Sequence, residues 1–139
     1  MSFMVASTAA LVLAVLAALH VYWAFGGELG KVAVIPEIHG ERAFNPSPVA
    51  TLLVAGALLV ATAIVLGRAG AYGAWLQTGL FKWPTLLLGI AFFARAVGDL
   101  NLVGFTKRIR GTAFARWDSA LFSPLCLVLG LALGWLALR

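Results

Sequence analysis

The sequence predicts an all-α integral membrane protein, a four-helix transmembrane bundle that forms one domain over residues 1–139. Of the 139 residues, 63% are hydrophobic and only 11% are charged, and the mean hydropathy is +1.01. Soluble domains are about 45–50% apolar and about 25% charged, and a chain this short cannot bury so much apolar surface away from water. Four stretches also approach the length of about 20 apolar residues that a membrane-spanning helix needs.

The first predicted helix covers residues 3–25, which carry no formally charged side chain. It should end at Gly26 and Gly27, because glycine commonly terminates helices. This apolar run is too long for a signal peptide and has no basic segment before it, so we interpret it as a membrane span.

A polar and partly irregular loop should follow, since the prolines and glycine in "ELGKVAVIPEIHGERAFNPSP" interrupt any continuous helix. The loop is expected to form a short hairpin or an irregular cap on the membrane surface. Ser47 then has the place of a helix N-cap with Pro48 at the first helical position. The second span is predicted over residues 49–66.

The third span contains two charged residues, Arg95 and Asp99, within "FFARAVGDLN". The uncharged run between Lys82 and Arg95 is too short to cross a bilayer, so the helix must extend past a charge. A helix from Leu80 to Asp99 would place Arg95 about 6 Å inside the hydrocarbon edge. The two side chains are spaced to pair along one helix, although in the less favourable order. We expect Asp99 to take a further donor from Lys107, Arg108 or Arg110.

The fourth span is predicted from about Ser119 to Leu138, with a bend at Pro124. An amphipathic segment containing Phe114, Trp117 and Leu121 should lead into it along the membrane surface. Small residues that let helices approach closely recur in two places, and they suggest a homo-oligomer: Ala6, Ala10, Ala14 and Ala18 in the first span, and Gly130 and Gly134 in the last. Interfacial anchoring is the expected role of Trp23, Trp75, Trp83 and Trp117.

The net charge of +5 fits membrane topology better than nucleic-acid binding, because the basic residues adjoin apolar spans. Four spans place both termini on one side and the two longer loops on the other. The loop side carries most of the basic residues: Lys31, Arg42, Lys107, Arg108, Arg110 and Arg116. We therefore expect the loops on the cytoplasmic side of the membrane and both termini outside.

The loop end of the bundle collects the candidate site residues. We predict a pocket there for a lipid-like or small amphipathic or anionic molecule, lined by His20, Trp23, Arg95, Asp99, Asn101 and Lys107 and capped by Glu37, His39 and Glu41. Ionisable residues within membrane spans are functional candidates by default. In this hypothesis Arg95 recognises the ligand, while His20 and Asp99 orient it or handle protons.

Alternatives remain open for these residues. The Arg95 and Asp99 pair serves equally well as a clamp that fixes the third helix to its loop. Glu37, His39 and Glu41 alternate, so they would share one face of an extended strand, but a metal site in so solvated a loop is weakly indicated and none is assigned. The cofactor is unknown: His20 could be a heme or metal ligand, although a lone histidine at a helix end more often bonds a neighbour. Whether any reaction is catalysed stays undecided, since the familiar catalytic motifs are missing from the sequence.

Four segments, "HVYWAFGG", "IPEIHGERAFNPSP", "FFARAVGD" and "GFTKRIRGTAFARWDSALFSPLC", resemble an uncharacterised family of small bacterial four-span membrane proteins, domain of unknown function 3995. The resemblance implies a compact four-helix membrane protein from a bacterium. It implies no activity, substrate or cofactor. Besides ligand binding, two further functions are therefore kept: an assembly subunit of a homo-oligomer or larger membrane complex, and an oligomeric small-solute transporter.

Overall fold

The computed structural model describes residues 1–74 and 79–139, and this part of the chain is mostly helical. The helices are α1 (Ser2–Ala24), α2 (Lys31–Val34), α3 (Pro48–Arg68), α4 (Lys82–Val97), α5 (Ala113–Trp117) and α6 (Ser123–Leu138). A π-helical turn, Asp118–Phe122, makes α5 and α6 continuous, and two short strands, β1 (Glu37–Ile38) and β2 (Glu41–Arg42), form a hairpin. Trp75, the predicted anchor, lies outside the described residues.

Within the described residues, three helices are long and apolar enough to cross a membrane: α1, α3 and the continuous segment Ala113–Leu138. The predicted helical fold and its membrane-spanning character are confirmed to that extent. Helix α4 is shorter, with 16 residues. At 1.5 Å per residue it is about 24 Å long, somewhat less than the roughly 30 Å of a bilayer core.

The predicted start of the second span is confirmed in detail. Ser47 is the N-cap of α3, and its Oγ accepts a hydrogen bond from the Ala50 N–H at 3.1 Å. Pro48 occupies the first helical position, where its missing N–H costs nothing. The preceding span ends at Ala24, and the chain then turns through Gly26, whose φ of +92° suits glycine.

The last helix begins earlier than predicted, at Ala113 rather than Ser119, because Thr112 provides a cap. Its Oγ1 accepts a hydrogen bond from the Ala115 N–H at 3.0 Å. The π-helical turn ends immediately before Ser123 and Pro124. Since proline has no N–H, the regular hydrogen-bond ladder cannot continue through it, and the wider turn is how the helix accommodates this interruption.

The helices pack as two close pairs, α1 with α3 and α4 with α6. The core between the pairs is apolar and includes the fully buried side chains of Leu13, Val65 and Leu133. Helices α4 and α6 approach almost backbone to backbone, since a Cβ built on Gly89 would lie 2.8 Å from the Gly134 nitrogen. A Cβ on Gly130 would lie 2.8 Å from the Phe93 nitrogen.

The small residues that suggested a homo-oligomer are therefore largely used within the chain. Ala6 and Ala10 are buried in the core, whereas Ala18 is exposed. Gly130 is buried against α4. These positions supply little free surface for a second copy.

The two longer loops meet at one end of the bundle, as the topology predicted, because α2 contacts α5. In the first loop β1 and β2 are antiparallel, with Glu37 opposite Arg42. His39 and Gly40 form the turn between the strands with φ angles of +53° and +84°, as expected for a two-residue hairpin loop. His39 thus interrupts the extended alternation on which the metal alternative depended.

Candidate functional site

A cavity of about 360 Å³ opens at the loop end of the α1 and α3 pair. Its walls come from the end of α1, from α2, from the segment before α3 and from the first turns of α3: His20, Trp23, Lys31, Val34, Ile35, Phe44, Asn45, Pro46, Pro48, Ala50, Thr51 and Val54. Most of these side chains are apolar. The volume falls within the range typical of small-molecule sites.

His20 and Trp23, two of the predicted site residues, form one wall of this cavity. The His20 Nδ1 lies 2.7 Å from the Leu16 carbonyl oxygen. Because a carbonyl only accepts, this nitrogen carries the proton in the neutral ring, which leaves Nε2 as an acceptor. The two rings meet edge to face with centroids 5.2 Å apart, and Trp23 Nε1 donates to the Leu29 carbonyl at 2.8 Å. The first loop thereby holds the aromatic wall in place.

Lys31, which the sequence analysis did not select, is the cationic side chain of the cavity wall. Its Nζ lies 2.7 Å from Glu28 Oε1. The hydrogen bond and charge of Lys31 hold the pKa of the exposed Glu28 carboxyl below its ordinary value. Glu28 therefore stays ionised near neutral pH and offsets part of the Lys31 charge.

The predicted cap residues Glu37, His39 and Glu41 do not line the cavity. They lie on the hairpin beside it, where His39 and Glu41 are exposed. The cap is instead built from α2 and from Phe44, Asn45 and Pro46. Within residues 1–74 and 79–139 there is no group of three side chains positioned to hold a metal ion.

A separate polar cluster centres on Asp118, in the π-helical turn between α5 and α6. Asp118 is fully buried. Its Oδ1 accepts from Arg95 Nη2 at 2.8 Å, and its Oδ2 accepts from Lys107 Nζ at 3.0 Å. Oδ2 also accepts from the Gly104 N–H at 2.9 Å and from Ser123 Oγ at 3.1 Å. One carboxylate thus joins α4, α6 and the loop of residues 98–112 between α4 and α5, which we call the third loop.

Lys107 is only 2% exposed, and its ammonium group makes all the hydrogen bonds it can within this cluster. Besides Asp118, it donates to the Gly104 carbonyl at 2.9 Å and to Ser119 Oγ at 2.7 Å. An ammonium has three hydrogens to donate, so each of them has an acceptor. A buried charge is tolerated when it is paired and hydrogen-bonded in this way.

Arg95 is less completely satisfied. Its side chain is 33% exposed, yet its Nη1 is buried and has no hydrogen-bond partner among the described residues. Leaving a buried donor unpaired costs about 1–3 kcal/mol. The cluster holds two cations, Arg95 and Lys107, against the single carboxylate of Asp118, so one positive charge is left over.

Asp99 does not join this cluster, and the pairings predicted for it with Arg95 and the loop cations are wrong. Helix α4 ends at Val97, and Gly98 redirects the chain with a φ of +100°. Asp99 Oδ1 instead accepts from the N–H groups of Asn101, Leu102 and Val103 at 2.7–3.0 Å. These backbone hydrogen bonds lower the pKa of the exposed Asp99 carboxyl, and the hydrogen bond from Val103 contributes most.

The predicted site residues are thus divided between three places. His20 and Trp23 line the cavity, whereas Arg95 and Lys107 bind Asp118. Asp99 and Asn101 shape the third loop. The Asn101 carbonyl accepts hydrogen bonds from the Arg108 and Ile109 N–H groups at 3.0 Å. The structure does not bring the six residues into a single pocket.

Sequence reasoning did not find Asp118 or Ser123. Asp118 immediately precedes the predicted start of the last span at Ser119, and Ser123 lies within that span. The available signal was a carboxylate beside an apolar run, which requires a buried partner if the helix begins before it.

Comparison with known proteins gives a family and nothing further. No curated protein and no solved structure matches this chain. A family model described as a protein of unknown function, DUF3995, matches residues 13–133. That match covers most of the chain, and the protein therefore belongs to the DUF3995 family.

Proposed function

We propose that this protein is a small four-span membrane protein whose loop-end cavity binds a lipid-like or small amphipathic molecule with a polar or anionic head. The four crossings are α1, α3, α4 and the segment Ala113–Leu138. They would place both termini outside and the loops on the cytoplasmic side of a bacterial inner membrane.

The crossing by α4 is supported by its packing and by its ends. Helix α4 lies against α6 along an extensive contact, so it runs beside a helix that is long enough to span. Lys82 at its start can extend toward the membrane surface, and the 64% exposed Trp83 is suited to the interface. At its other end Arg95 is held by the Asp118 carboxylate at 2.8 Å, two residues before the helix ends.

The cavity of about 360 Å³ is the observation that carries the proposed function. Its apolar walls suit the body of a lipid-like molecule, because burial of apolar surface drives such binding. Lys31 offers a cation to an anionic head, and His20 Nε2 offers an acceptor to a hydroxyl. From the sequence we predicted that Arg95 recognises the ligand. We now propose Lys31 for this role, because Lys31 lines the cavity and Arg95 does not.

The position of the cavity also favours an amphipathic ligand. It lies where α1 ends and α3 begins, beside the loops that cover this end of the bundle. A molecule bound here would have its head among the loop residues and its apolar part against Val54 and Ala50 of α3. The positive N-terminal end of α3 adds a modest attraction for negative charge.

Native mass spectrometry of gently extracted protein tests the proposal. We expect the wild-type protein to retain a non-protein mass, and we expect the double variant His20→Ala/Lys31→Gln to lose it without a change in melting temperature. Lys82→Gln, which removes the same charge at the other end of the bundle, is the matched control and should retain the mass. Equal retention by all three proteins would refute a ligand in this cavity.

A further inference from the structure

We propose that Arg95 forms a second binding site, distinct from the cavity, for the phosphodiester group of an anionic phospholipid. This inference does not depend on the proposed function, because it rests on α4 and the π-helical turn rather than on α1 and α3. It starts from the charges and hydrogen bonds of the Asp118 cluster.

The first step is the balance of charge. Arg95 and Lys107 both bind Asp118, at 2.8 and 3.0 Å, so one positive charge is not compensated within the cluster. Asp118 cannot supply more, since it already accepts four hydrogen bonds. Among the described residues no other carboxylate forms an ion pair with Arg95, and Asp99 is occupied by three backbone N–H groups.

The second step identifies which of the two cations carries the excess. Lys107 is buried and donates all three of its hydrogens to Gly104, Asp118 and Ser119. Arg95 is a third exposed, and its Nη1 has no partner among the described residues. The remaining charge and the remaining donor are therefore on the same guanidinium.

The position of Arg95 determines which hydrogen-bond acceptor can reach its guanidinium. Arg95 lies two residues before the end of α4, at the end of the bundle that carries the loops. The same end of the bundle also has exposed apolar side chains on α4 and on the π-helical turn, although Phe93 and Val97, two residues from Arg95, lie on another side of α4. Arg95 thus lies where an apolar helix meets the polar loops, and the acceptor that we propose at this depth is a lipid head group.

A phosphodiester matches these requirements. It carries one negative charge, equal to the excess, and its oxygens accept hydrogen bonds from the forked donors of an arginine. Because Nη1 is buried, the proposal requires the partly exposed guanidinium to turn before this nitrogen can meet a phosphate oxygen.

Titration of the purified full-length protein with phosphatidylglycerol, followed by native mass spectrometry, tests the site, with phosphatidylcholine as the neutral comparison. We expect Arg95→Gln to lower the affinity for phosphatidylglycerol about fivefold, as for loss of one basic residue at a membrane surface. The matched control is Arg108→Gln, which removes an exposed charge from the same loop end and should have little effect. Excess inorganic phosphate should not displace the lipid.

A second variant separates binding from folding. In Arg95→Lys the single ammonium is held by Asp118, so the melting temperature should stay near that of the wild type while the preference for phosphatidylglycerol is lost. An unchanged preference in this folded variant, or an equal loss in Arg108→Gln, would overturn the site. Displacement by inorganic phosphate would overturn the lipid as its ligand. The cavity variant His20→Ala/Lys31→Gln should bind phosphatidylglycerol normally, which keeps the two proposals separable.

Discussion

The two polar regions at the loop end differ in how completely their groups are bonded. Between α4 and α6, the Asp118 carboxylate takes four hydrogen bonds and the Lys107 ammonium gives three. Between α1 and α3, a cavity of about 360 Å³ remains, with the Lys31 ammonium and one ring nitrogen of His20 on its wall. In the first region the polar groups that join the helices are bonded, except for Arg95 Nη1, whereas the second region has open space for the ligand that we propose.

Replacement of Asp118 by Asn should give the largest effect on stability. It leaves Lys107 buried without its counter-charge, and breaking a buried ion pair costs about 3–5 kcal/mol. Thermal unfolding in mild detergent measures the loss. The double variant Asp118→Leu/Lys107→Met should recover part of it, since an apolar pair leaves no charge unpaired. A stable Asp118→Asn protein would contradict the clamp.

Replacement of Gly130 by Leu should come next. Even a Cβ at this position lies 2.8 Å from the Phe93 nitrogen and 3.0 Å from the Gly89 oxygen, so α4 and α6 must separate. Overpacking of this kind costs about 1–3 kcal/mol. Gly56→Ala is the matched control, because a Cβ there meets nothing within 4 Å, and it should stabilise α3 by about 0.5–1 kcal/mol. Both are read by thermal unfolding.

Replacement of Asp99 should have a smaller and pH-dependent effect. Asp99→Ala removes the acceptor for three loop N–H groups and should cost about 1 kcal/mol, comparable to loss of a helix cap, whereas Asp99→Asn keeps the side-chain oxygen and should cost less. Since folding lowers the pKa of this carboxyl, its charge contributes stability above the unfolded pKa of about 3.9. That contribution is lost as the pH falls through the lower folded pKa. A carboxyl shift measured by NMR against pH checks the direction; a raised pKa would contradict it.

Replacement of Glu28 should have the smallest effect on stability. Its effect on ligand binding should be opposite to the effect of losing Lys31. Glu28 is exposed and partly neutralises Lys31 at 2.7 Å. Glu28→Gln should therefore leave the melting temperature unchanged and increase the retained amount of an anionic ligand. Native mass spectrometry gives both the occupancy and the comparison with Lys31→Gln. A decrease in Glu28→Gln would show that Lys31 does not meet a negative head.

Local signals predicted the helices well, because caps act on neighbouring residues. Ser47, Pro48 and Gly26 each mark an end that the structure confirms. The last helix was predicted too short because Thr112 was not recognised as its cap. The proposed fourth crossing could not be settled by pattern, since α4 has only 16 residues and is shorter than a bilayer core.

The polar clusters were predicted less well because their side-chain contacts depend on the path that each loop takes between the helices. Arg95 and Asp99 have the spacing of a helical pair, but α4 ends at Val97 and the geometry of that pair never forms. The partner that does form, Asp118, lies 23 residues further along the chain. His20 and Trp23 are three residues apart on α1 and their rings are in contact, whereas Lys31 reaches the cavity only because α2 forms part of its wall.

Photo-crosslinking from inside the cavity tests the central claim most directly. Phe44 lines the cavity, and Tyr72 is a comparably exposed aromatic residue at the other end of the bundle. With benzoylphenylalanine in place of Phe44, illumination of native membranes should attach a lipid-like or amphipathic small molecule to the protein. The same group at position 72 should not capture that compound. Capture of the same compound from both positions, or of none from position 44, would contradict a ligand-binding cavity between α1 and α3.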